Sequence, residues 1–273
     1  HRSRSEVRTP QVTFPLSRDR APRGPGPTAP PCYPVAMKRR DLIAGVAASL
    51  ASPAAPPPPE QATLYIPSAH RVEDLALMHD TMDEYPFVDL VTPSPELRIT
   101  HLPVWLDRKS GPYGVLYGHI ARHNPQSAAL DGRTSATIVF RGTDAYISPS
   151  WYSNPKAVPT WNFAAVHASG KPLPLMAGPE LYELLATLIA RSEGKYAGGA
   201  YDFKSLPRDY VDGMMQAIVG FKMPIELLEG KFKLGQERGD ADRESIVKHL
   251  ESARRDRSMA SLTRDFYRRS KRP

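Results

Sequence analysis

The chain has 273 residues, of which 41% are hydrophobic and 8% aromatic, and its formal net charge is +7. This length and composition supply one good hydrophobic core or two small ones, which excludes a fibre, a coiled coil and a wholly disordered protein. The longest apolar run, residues 42–51, is about half of the roughly 20 residues that a membrane-spanning helix needs. No integral membrane domain is therefore predicted.

The positive charge is concentrated at the two ends of the chain. Residues 1–41 hold nine basic and three acidic residues, and residues 254–273 hold eight basic and two acidic residues. The segment between them therefore carries a net charge of −5. A nucleic-acid-binding surface would require a basic body, so this distribution argues against one.

The first 62 residues are expected to lie outside the fold. They are rich in proline and poor in large apolar residues, so they cannot repay their ordering entropy by burial. The first methionine, Met37, is followed by the arginine pair Arg39 and Arg40, a short apolar stretch and small residues before Pro53. This pattern is typical of a twin-arginine export signal. Because Asp41 follows the arginine pair, a basic amphipathic or disordered leader is the alternative.

The sequence divides into four parts on this interpretation. Residues 1–36 are a disordered or spurious upstream extension, and residues 37–62 are the export signal and a Pro-rich linker. Residues 63–250 form the folded domain, and residues 251–273 are a basic C-terminal tail. The protein is expected in the periplasm if the signal functions and in the cytoplasm otherwise.

The body is predicted to be an α+β domain built on an antiparallel β-barrel. Alternating or β-rich runs separated by turn residues predict eight strands, at 87–92, 97–106, 114–121, 135–141, 145–148, 161–168, 221–228 and 231–234. Helical periodicity predicts helices at 72–84, 179–192, 208–219 and 240–254. Six strands precede the helix at 179–192, which favours an antiparallel barrel over a doubly wound sheet.

Motifs of common enzymes are absent from the sequence. It has no GxSxG elbow, no Walker loop and no GxGxxG, and its eight histidines form no HExxH pair. The single cysteine, Cys32, excludes an intrachain disulfide and lies outside the expected fold. No metal site is predicted, and any chemistry would come from a bound cofactor.

Polar and aromatic residues that core packing does not demand fall in four stretches, at 100–103, 119–126, 146–152 and 159–163. Aromatic faces beside several hydrogen-bond donors suit a planar heterocycle that carries a phosphate. Each stretch also has a structural alternative. His101 suits a core or edge position, Arg122 and Asn124 suit a solvated turn, and Ser148 suits an aromatic-capped loop.

Six blocks of sequence, in order and with the expected gaps, closely resemble the PaiB family of FMN-binding negative transcriptional regulators. The blocks are residues 100–103, 116–126, 145–152, 158–163, 217–221 and 231–236. The resemblance covers about two thirds of the chain. Where the family often has Ser-Gln-Asn, this chain has Gly235-Gln236-Glu237, which leaves Lys233 and Gln236 in place.

The resemblance implies an FMN-binding split β-barrel, like the pyridoxamine-phosphate oxidases, in which two subunits pack together with FMN in the groove between them. The strand from Thr100 through His101 and Leu102 to Pro103 would run along the isoalloxazine ring. The phosphate would be held by the turn that carries His119, Arg122, Asn124 and Gln126, with Arg122 as its charged partner. The pocket would be closed by Tyr146, Ser148, Trp161 and Asn162.

Two functions follow from these observations. The first is a PaiB-type FMN-binding protein that acts as a negative transcriptional regulator, with DNA as a partner. The second is an exported flavin-dependent oxidoreductase that acts on a small molecule. The sequence contains no helix-turn-helix pattern, and the basic tail is either a phosphate contact that does not read bases or an inert solvated helical face.

Overall fold

The computed structural model describes residues 62–154, 156–252 and 257–270, which all lie within one unit, Ala55–Pro273. The predicted upstream extension and nearly all of the predicted signal and linker fall outside the described residues. Residues 253–256 and 271–273 of the predicted basic tail also fall outside them.

The described residues form eight strands and five α-helices. The strands are β1 (Arg71–Val72), β2 (Phe87–Thr92), β3 (Arg98–Asp107), β4 (Val115–Ala121), β5 (Ala136–Ile147), β6 (Thr160–Gly170), β7 (Leu173–Leu175) and β8 (Ile218–Lys233). The helices are α1 (Leu75–Glu84), α2 (Pro179–Ser192), α3 (Arg208–Met215), α4 (Asp240–Ser252) and α5 (Arg257–Ser270). A π-helical turn, Glu193–Ala197, extends α2.

Six of the strands form a closed antiparallel barrel in the order β8, β4, β3, β2, β5, β6 and back to β8. The 16-residue strand β8 closes it, because its first half pairs with β4 and its second half pairs with β6. The short strands β1 and β7 also pair with β8. The predicted antiparallel barrel is confirmed.

The barrel interior is filled by side chains from alternate positions of the strands. Phe140, Phe221 and Phe232 are among its largest fully buried side chains. Burial of one such side chain contributes about 1.5–3 kcal/mol. The interior is a packed core, so ligand groups must lie on the outer face or at the ends of the barrel.

The predicted strands 135–141 and 145–148 form one strand, β5, and the predicted strands 221–228 and 231–234 form one strand, β8. In each pair the sequence predicts a turn at a glycine that has another role in the structure. Strand β5 runs through Gly142 with a bulge between Arg141 and Asp144. In β8, a Cβ on Gly230 would lie 2.8 Å from the Met78 sulfur of α1, so this glycine allows the helix to pack closely.

Helix boundaries differ from the prediction in two places. Helix α1 begins at Leu75 rather than at residue 72, because the Asp74 side chain accepts a hydrogen bond from the Leu77 amide and caps the helix. Helix α3 ends at Met215 rather than at residue 219, because the chain from Ile218 onwards pairs with β4.

Helix α2 buries the leucine stripe that the sequence predicts as core. Leu181, Leu184 and Leu188 are buried, and Leu181 belongs to a second small core shared with α3. Within the described part of the chain, no helix is long and apolar enough to cross a membrane.

The described part of the basic tail forms the amphipathic helix α5. Its residues Met259, Ala260 and Thr263 are buried, and the first two belong to the main core. The Tyr267 hydroxyl donates to the Leu234 carbonyl at 2.6 Å, and burial raises the pKa of Tyr267 to about 12. Helix α5 is therefore an integral part of the fold.

Substitution of Met259 tests how much α5 stabilises the barrel. Met259→Ala removes a fully buried side chain, so we expect the free energy of unfolding to fall by about 2–4 kcal/mol. The matched control is Met214→Ala on α3, whose side chain is 57% exposed and whose loss should change stability by less than about 0.5 kcal/mol. Urea denaturation measures both. Equal effects of the two substitutions would mean that α5 adds no stability.

Candidate functional site

Three of the predicted site residues form a hydrogen-bonded network at one end of the barrel, which we call the amide end (Thr100, Asn124 and Gln126). The Thr100 hydroxyl donates to Gln126 Oε1 at 2.5 Å, and Asn124 Nδ2 donates to Thr100 Oγ1 at 2.8 Å. Asn124 Oδ1 accepts from the Gln126 amide at 2.9 Å. The network fixes the turn after β4 against the start of β3.

Gln126 also joins β2 to β3. Its buried Nε2 group lies 3.0 Å from the Leu90 carbonyl, 3.1 Å from the Thr92 hydroxyl and 3.2 Å from the Arg98 carbonyl. The Nε2 group thus has acceptors for both of its hydrogens, and the amide oxygen accepts from Thr100, so the side chain has no free donor. Gln126 therefore positions the amide end and is not available to a ligand.

Arg122 lies beside the amide end and uses part of its guanidinium to hold the start of β8. Nε donates to the Gln216 carbonyl at 2.6 Å, and Nη2 donates to the Ile218 carbonyl at 2.9 Å. These contacts fix the plane of the group. Nη1 has no hydrogen-bond partner among the described residues, which leaves it for an anion such as a phosphate.

His119 precedes this turn and pairs with Gly220 across β4 and β8. Its Nδ1 is buried without a hydrogen-bond partner among the described residues. Burial lowers the pKa of His119, because the charged imidazolium is poorly solvated there. The ring is therefore neutral at physiological pH.

The second group of predicted residues lies where β5 ends and β6 begins, and we call it the aromatic end (Tyr146, Ser148, Trp161, Asn162 and Lys233). Tyr146 and Trp161 are cross-strand partners, and their exposed rings meet edge to face at 5.8 Å. The Ser148 hydroxyl contacts the Ser150 hydroxyl at 2.8 Å. Two aromatic faces are thus open to a planar ligand.

Two nitrogen donors at the aromatic end are incompletely used. Asn162 is only 1% exposed, and its Nδ2 has no hydrogen-bond partner in the described part of the chain. The Lys233 ammonium contacts the Thr160 hydroxyl and has no carboxylate partner among the described residues. A buried donor without an acceptor is costly, so the site favours a ligand that brings acceptors.

The remaining predicted residues have structural contacts. Gln236 holds the turn after β8, where its side chain bonds the Phe232 carbonyl at 2.6 Å and the Leu234 amide at 2.7 Å. His101 pairs with Asp89 at 2.5 Å on the outer face of the barrel. Leu102 lies in the core, and Pro103 lies on the outer face opposite Phe87.

The amide end and the aromatic end do not meet within one chain. Thr100 pairs with Leu90, and Leu90 pairs with Ile138, which lies eight residues before Tyr146 on β5. At about 3.3 Å per residue the separation is roughly 26 Å along the strand. The structure therefore gathers most of the predicted site residues into two groups at opposite ends of the barrel, and His101, Leu102, Pro103 and Gln236 belong to neither group.

The closed six-stranded antiparallel barrel, with ligand-binding groups at its rim, defines a split-barrel protein. The chain belongs to the family described as "Putative FMN-binding domain", whose model matches residues 64–227. It is 31% identical to the Bacillus subtilis protein "Protease synthase and sporulation protein PAI 2" over 205 residues, which cover 74% of this chain and 97% of that one. The resemblance to the PaiB family is thereby confirmed.

Two further comparisons give more distant similarities. An uncharacterised protein of Aspergillus fumigatus is 29% identical over 238 residues, covering 69% of this chain and 91% of its own. A solved structure, the FAD and heme binding protein from Mycobacterium smegmatis, has a TM-score of 0.46 at 12% identity, over 64% of this chain and 80% of that one.

FMN is the cofactor, and the residues of both ends fit it. The exposed rings of Tyr146 and Trp161 suit a planar isoalloxazine, and the unpartnered Nδ2 of Asn162 suits its carbonyl and nitrogen acceptors. The free edge of Arg122 and the ammonium of Lys233 suit a phosphate of nearly two negative charges.

Sequence reasoning did not single out Trp105, whose buried Nε1 also has no hydrogen-bond partner among the described residues. Trp105 alternates with Val104 and Leu106, which are core residues, so the pattern of β3 places it on the outer face. That alternation was the available signal. The stacking of Trp105 on Tyr117 of β4 depends on strand register, which the sequence does not state.

The lowered pKa of His119 predicts a pH dependence of stability. The folded state holds fewer protons than the unfolded state between the folded pKa and about 6.5, so stability decreases as the pH falls below about 6.5. We expect His119→Gln to reduce the slope of unfolding free energy against pH by up to about 1.4 kcal/mol per unit. Urea denaturation at pH 5, 6 and 7 measures the slope. An identical slope in both proteins would contradict a buried neutral His119.

Proposed function

We propose that the protein acts as a homodimer that holds FMN between its two copies, with the amide end of one copy beside the aromatic end of the other. The observation that carries this proposal is the separation of the two groups by roughly 26 Å along β5. In a two-fold dimer of oppositely directed barrels, each end of one copy faces the other end of its partner. Two complete sites then form.

An exposed apolar strip on β2 and β3 supports the same arrangement. Phe87 is 68% exposed, and Ile99 and the neighbouring Leu97 are 55% and 69% exposed. The strip is interrupted by the Asp89–His101 pair, which lies between Phe87 and Ile99 on the same face, and such a mix of apolar and polar groups is common in protein–protein interfaces. A partner copy packed on this face would remove the strip from solvent.

Each residue then has a defined role toward the cofactor. Arg122, with its plane fixed by two carbonyls, holds the phosphate from the amide end, and Lys233 adds a positive charge from the aromatic end. Trp161 and Tyr146 cover the ring, and Asn162 donates to its edge. When bound, FMN supplies a centre that accepts and returns two electrons.

Flavin-dependent chemistry on a small molecule has more support than direct DNA binding. Three arginines of α5 are paired with carboxylates: Arg264 with Glu251, Arg268 with Asp265, and Arg269 with Asp74 and Asp80. Phosphate contacts would have to break these pairs. The negative-regulator role is therefore the second candidate, and it uses the same flavin site.

Disruption of the apolar strip tests the dimer. Ile99→Lys places a charge in the proposed interface, so we expect a folded monomer that has lost most of its FMN affinity. Light scattering measures the oligomeric state, and circular dichroism measures retention of the fold. Met214→Lys, on an exposed position of α3, is the control and should remain dimeric. A wild-type monomer that holds FMN would overturn the proposal.

Substitution of Arg122 tests the phosphate contact. Since a hydrogen bond to a charged group contributes about 1.5–3 kcal/mol, Arg122→Ala should weaken FMN binding roughly tenfold to a hundredfold. Riboflavin, which lacks the phosphate, should lose far less affinity. Quenching of flavin fluorescence by the apoprotein measures both. Arg133→Ala, in the exposed loop before β5, is the control and should leave FMN binding unchanged. Equal losses for both flavins would remove Arg122 from the phosphate site.

A further inference from the structure

A cleft of about 340 Å³ lies between the outer face of the barrel and the end of α2. It is formed by a single chain: α1 ends at one side, β2 and β3 form the floor, and α2 with its π-helical turn forms the other side. Its volume lies within the range of small-molecule sites. None of the residues that line it belongs to the amide end or the aromatic end, and Pro103 is the one among them that the sequence predicted to contact the cofactor.

The walls of the cleft are apolar and aromatic. Phe87, Pro103, Trp105, Leu188 and Tyr196 line it, and the side chains of Phe87 and Tyr196 are largely exposed. Trp105 is held in place by stacking on Tyr117, with ring centroids 4.4 Å apart and planes 9° apart. The cleft therefore presents a rigid aromatic surface to a second ring.

Two of the three charged groups in the cleft are already neutralised. Asp83 is held by the Arg108 guanidinium at 2.5 and 2.8 Å. The Lys195 ammonium donates to the Asp83 and Glu84 carbonyls and to the Glu84 carboxylate, so it serves to close the end of α1.

Arg191 is the remaining charge. Its guanidinium carbon lies 5.2 Å from the centre of the Trp105 ring, and its nearest carboxylate contact, with Asp83, is 3.8 Å. Neither the Arg191 guanidinium nor the indole N–H of Trp105 has a hydrogen-bond acceptor among the described residues. An arginine stacked on an aromatic face keeps its fork of N–H donors available to a planar anion.

We propose that this cleft binds an aromatic monocarboxylate of the arylacetate class, with its carboxylate on Arg191 and its ring against the wall of Phe87, Pro103 and Tyr196. One uncommitted guanidinium in an otherwise apolar and aromatic cleft matches one planar carboxylate carried on an aromatic ring. The Trp105 N–H is a second donor for the carboxylate. None of the residues that line the cleft belongs to the amide end or the aromatic end, but Phe87 also lies on the face proposed for the dimer interface, so the assignment rests on Arg191, Trp105 and Tyr196, which that face does not include.

The indole resonances of the three tryptophans in nitrogen-15 NMR test the proposal on the full chain loaded with FMN. The Trp105→Phe variant keeps an aromatic ring on Tyr117 and identifies the Trp105 signal by its loss. Phenylacetate should shift that signal in a saturable way. Phenylacetamide, which has the same ring and no charge, should bind at least tenfold more weakly.

Arg191→Gln should weaken phenylacetate binding roughly tenfold to a hundredfold and leave FMN binding unchanged. Arg191→Lys keeps the charge and loses the planar fork, so its affinity for phenylacetate should lie between that of the wild type and that of Arg191→Gln. The matched control is Arg208→Gln, because Arg208 is also half exposed and lies 4.3 Å from the Tyr182 ring, away from the cleft.

No saturable shift with phenylacetate, equal binding of the amide, or unchanged affinity in Arg191→Gln would each overturn the proposal. Flavin fluorescence in the same samples reports FMN binding separately. Loss of FMN binding with phenylacetate binding retained would count against the FMN site alone. Loss of phenylacetate binding with FMN binding retained would count against the cleft alone.

Discussion

The structure depends on strand β8 satisfying two sheet edges at once. An open sheet would expose the edges of β4 and β6, and unpaired edges are sites of aggregation. By pairing Ile218–Pro224 with β4 and Ile225–Lys233 with β6, this strand removes both edges and encloses the core. Gly170 makes the closure possible, because a Cβ there would collide with the Pro224 carbonyl oxygen, and Gly230 leaves room on β8 for Met78 of α1.

Closure also decides where binding can occur. A barrel of six strands has an interior filled by its own side chains, so functional groups are confined to the rim and to the outer face. Helices cover only part of that face. Helix α2 leaves a cleft beside Trp105 and Phe87, whereas Ile99 remains exposed on β3. The uncovered surfaces are therefore determined by where the helices pack.

The fold was largely predictable from the sequence, since alternation along β3 and β6 and the leucine stripe of α2 are local patterns. The two wrong strand breaks, in β5 and in β8, were predicted at glycines that can occupy either a turn or a strand. Gly142 and Gly230 looked like turns, and only the partner strand or helix shows that one lies in a bulge and the other beneath α1. Packing partners distant in sequence supply that information.

The sequence allowed the residues of the candidate site to be listed, but not their positions relative to one another. Asn124 and Gln126 lie together because they share a turn, and Thr100 of β3 joins them, but the hydrogen bonds of Gln126 are used to join strands. The roughly 26 Å between the amide end and the aromatic end follows from strand register, which a sequence does not contain.

The net charge of the protein does not by itself indicate what the protein binds, because most of the relevant charges are paired in the structure. A net charge of +7 suggests affinity for phosphate backbones, yet Arg264, Arg268 and Arg269 of α5 are paired with Glu251, Asp265, Asp74 and Asp80. The pairs of Arg264 and Arg269 join α5 to α4 and to α1 with its cap residue, and so serve the fold. Arg122, Arg191 and Lys233 retain free donors, are separated from one another in sequence and lie at the rim or in the cleft. Each therefore suits one small anionic group, and a molecule such as FMN matches them better than an extended polyanion does.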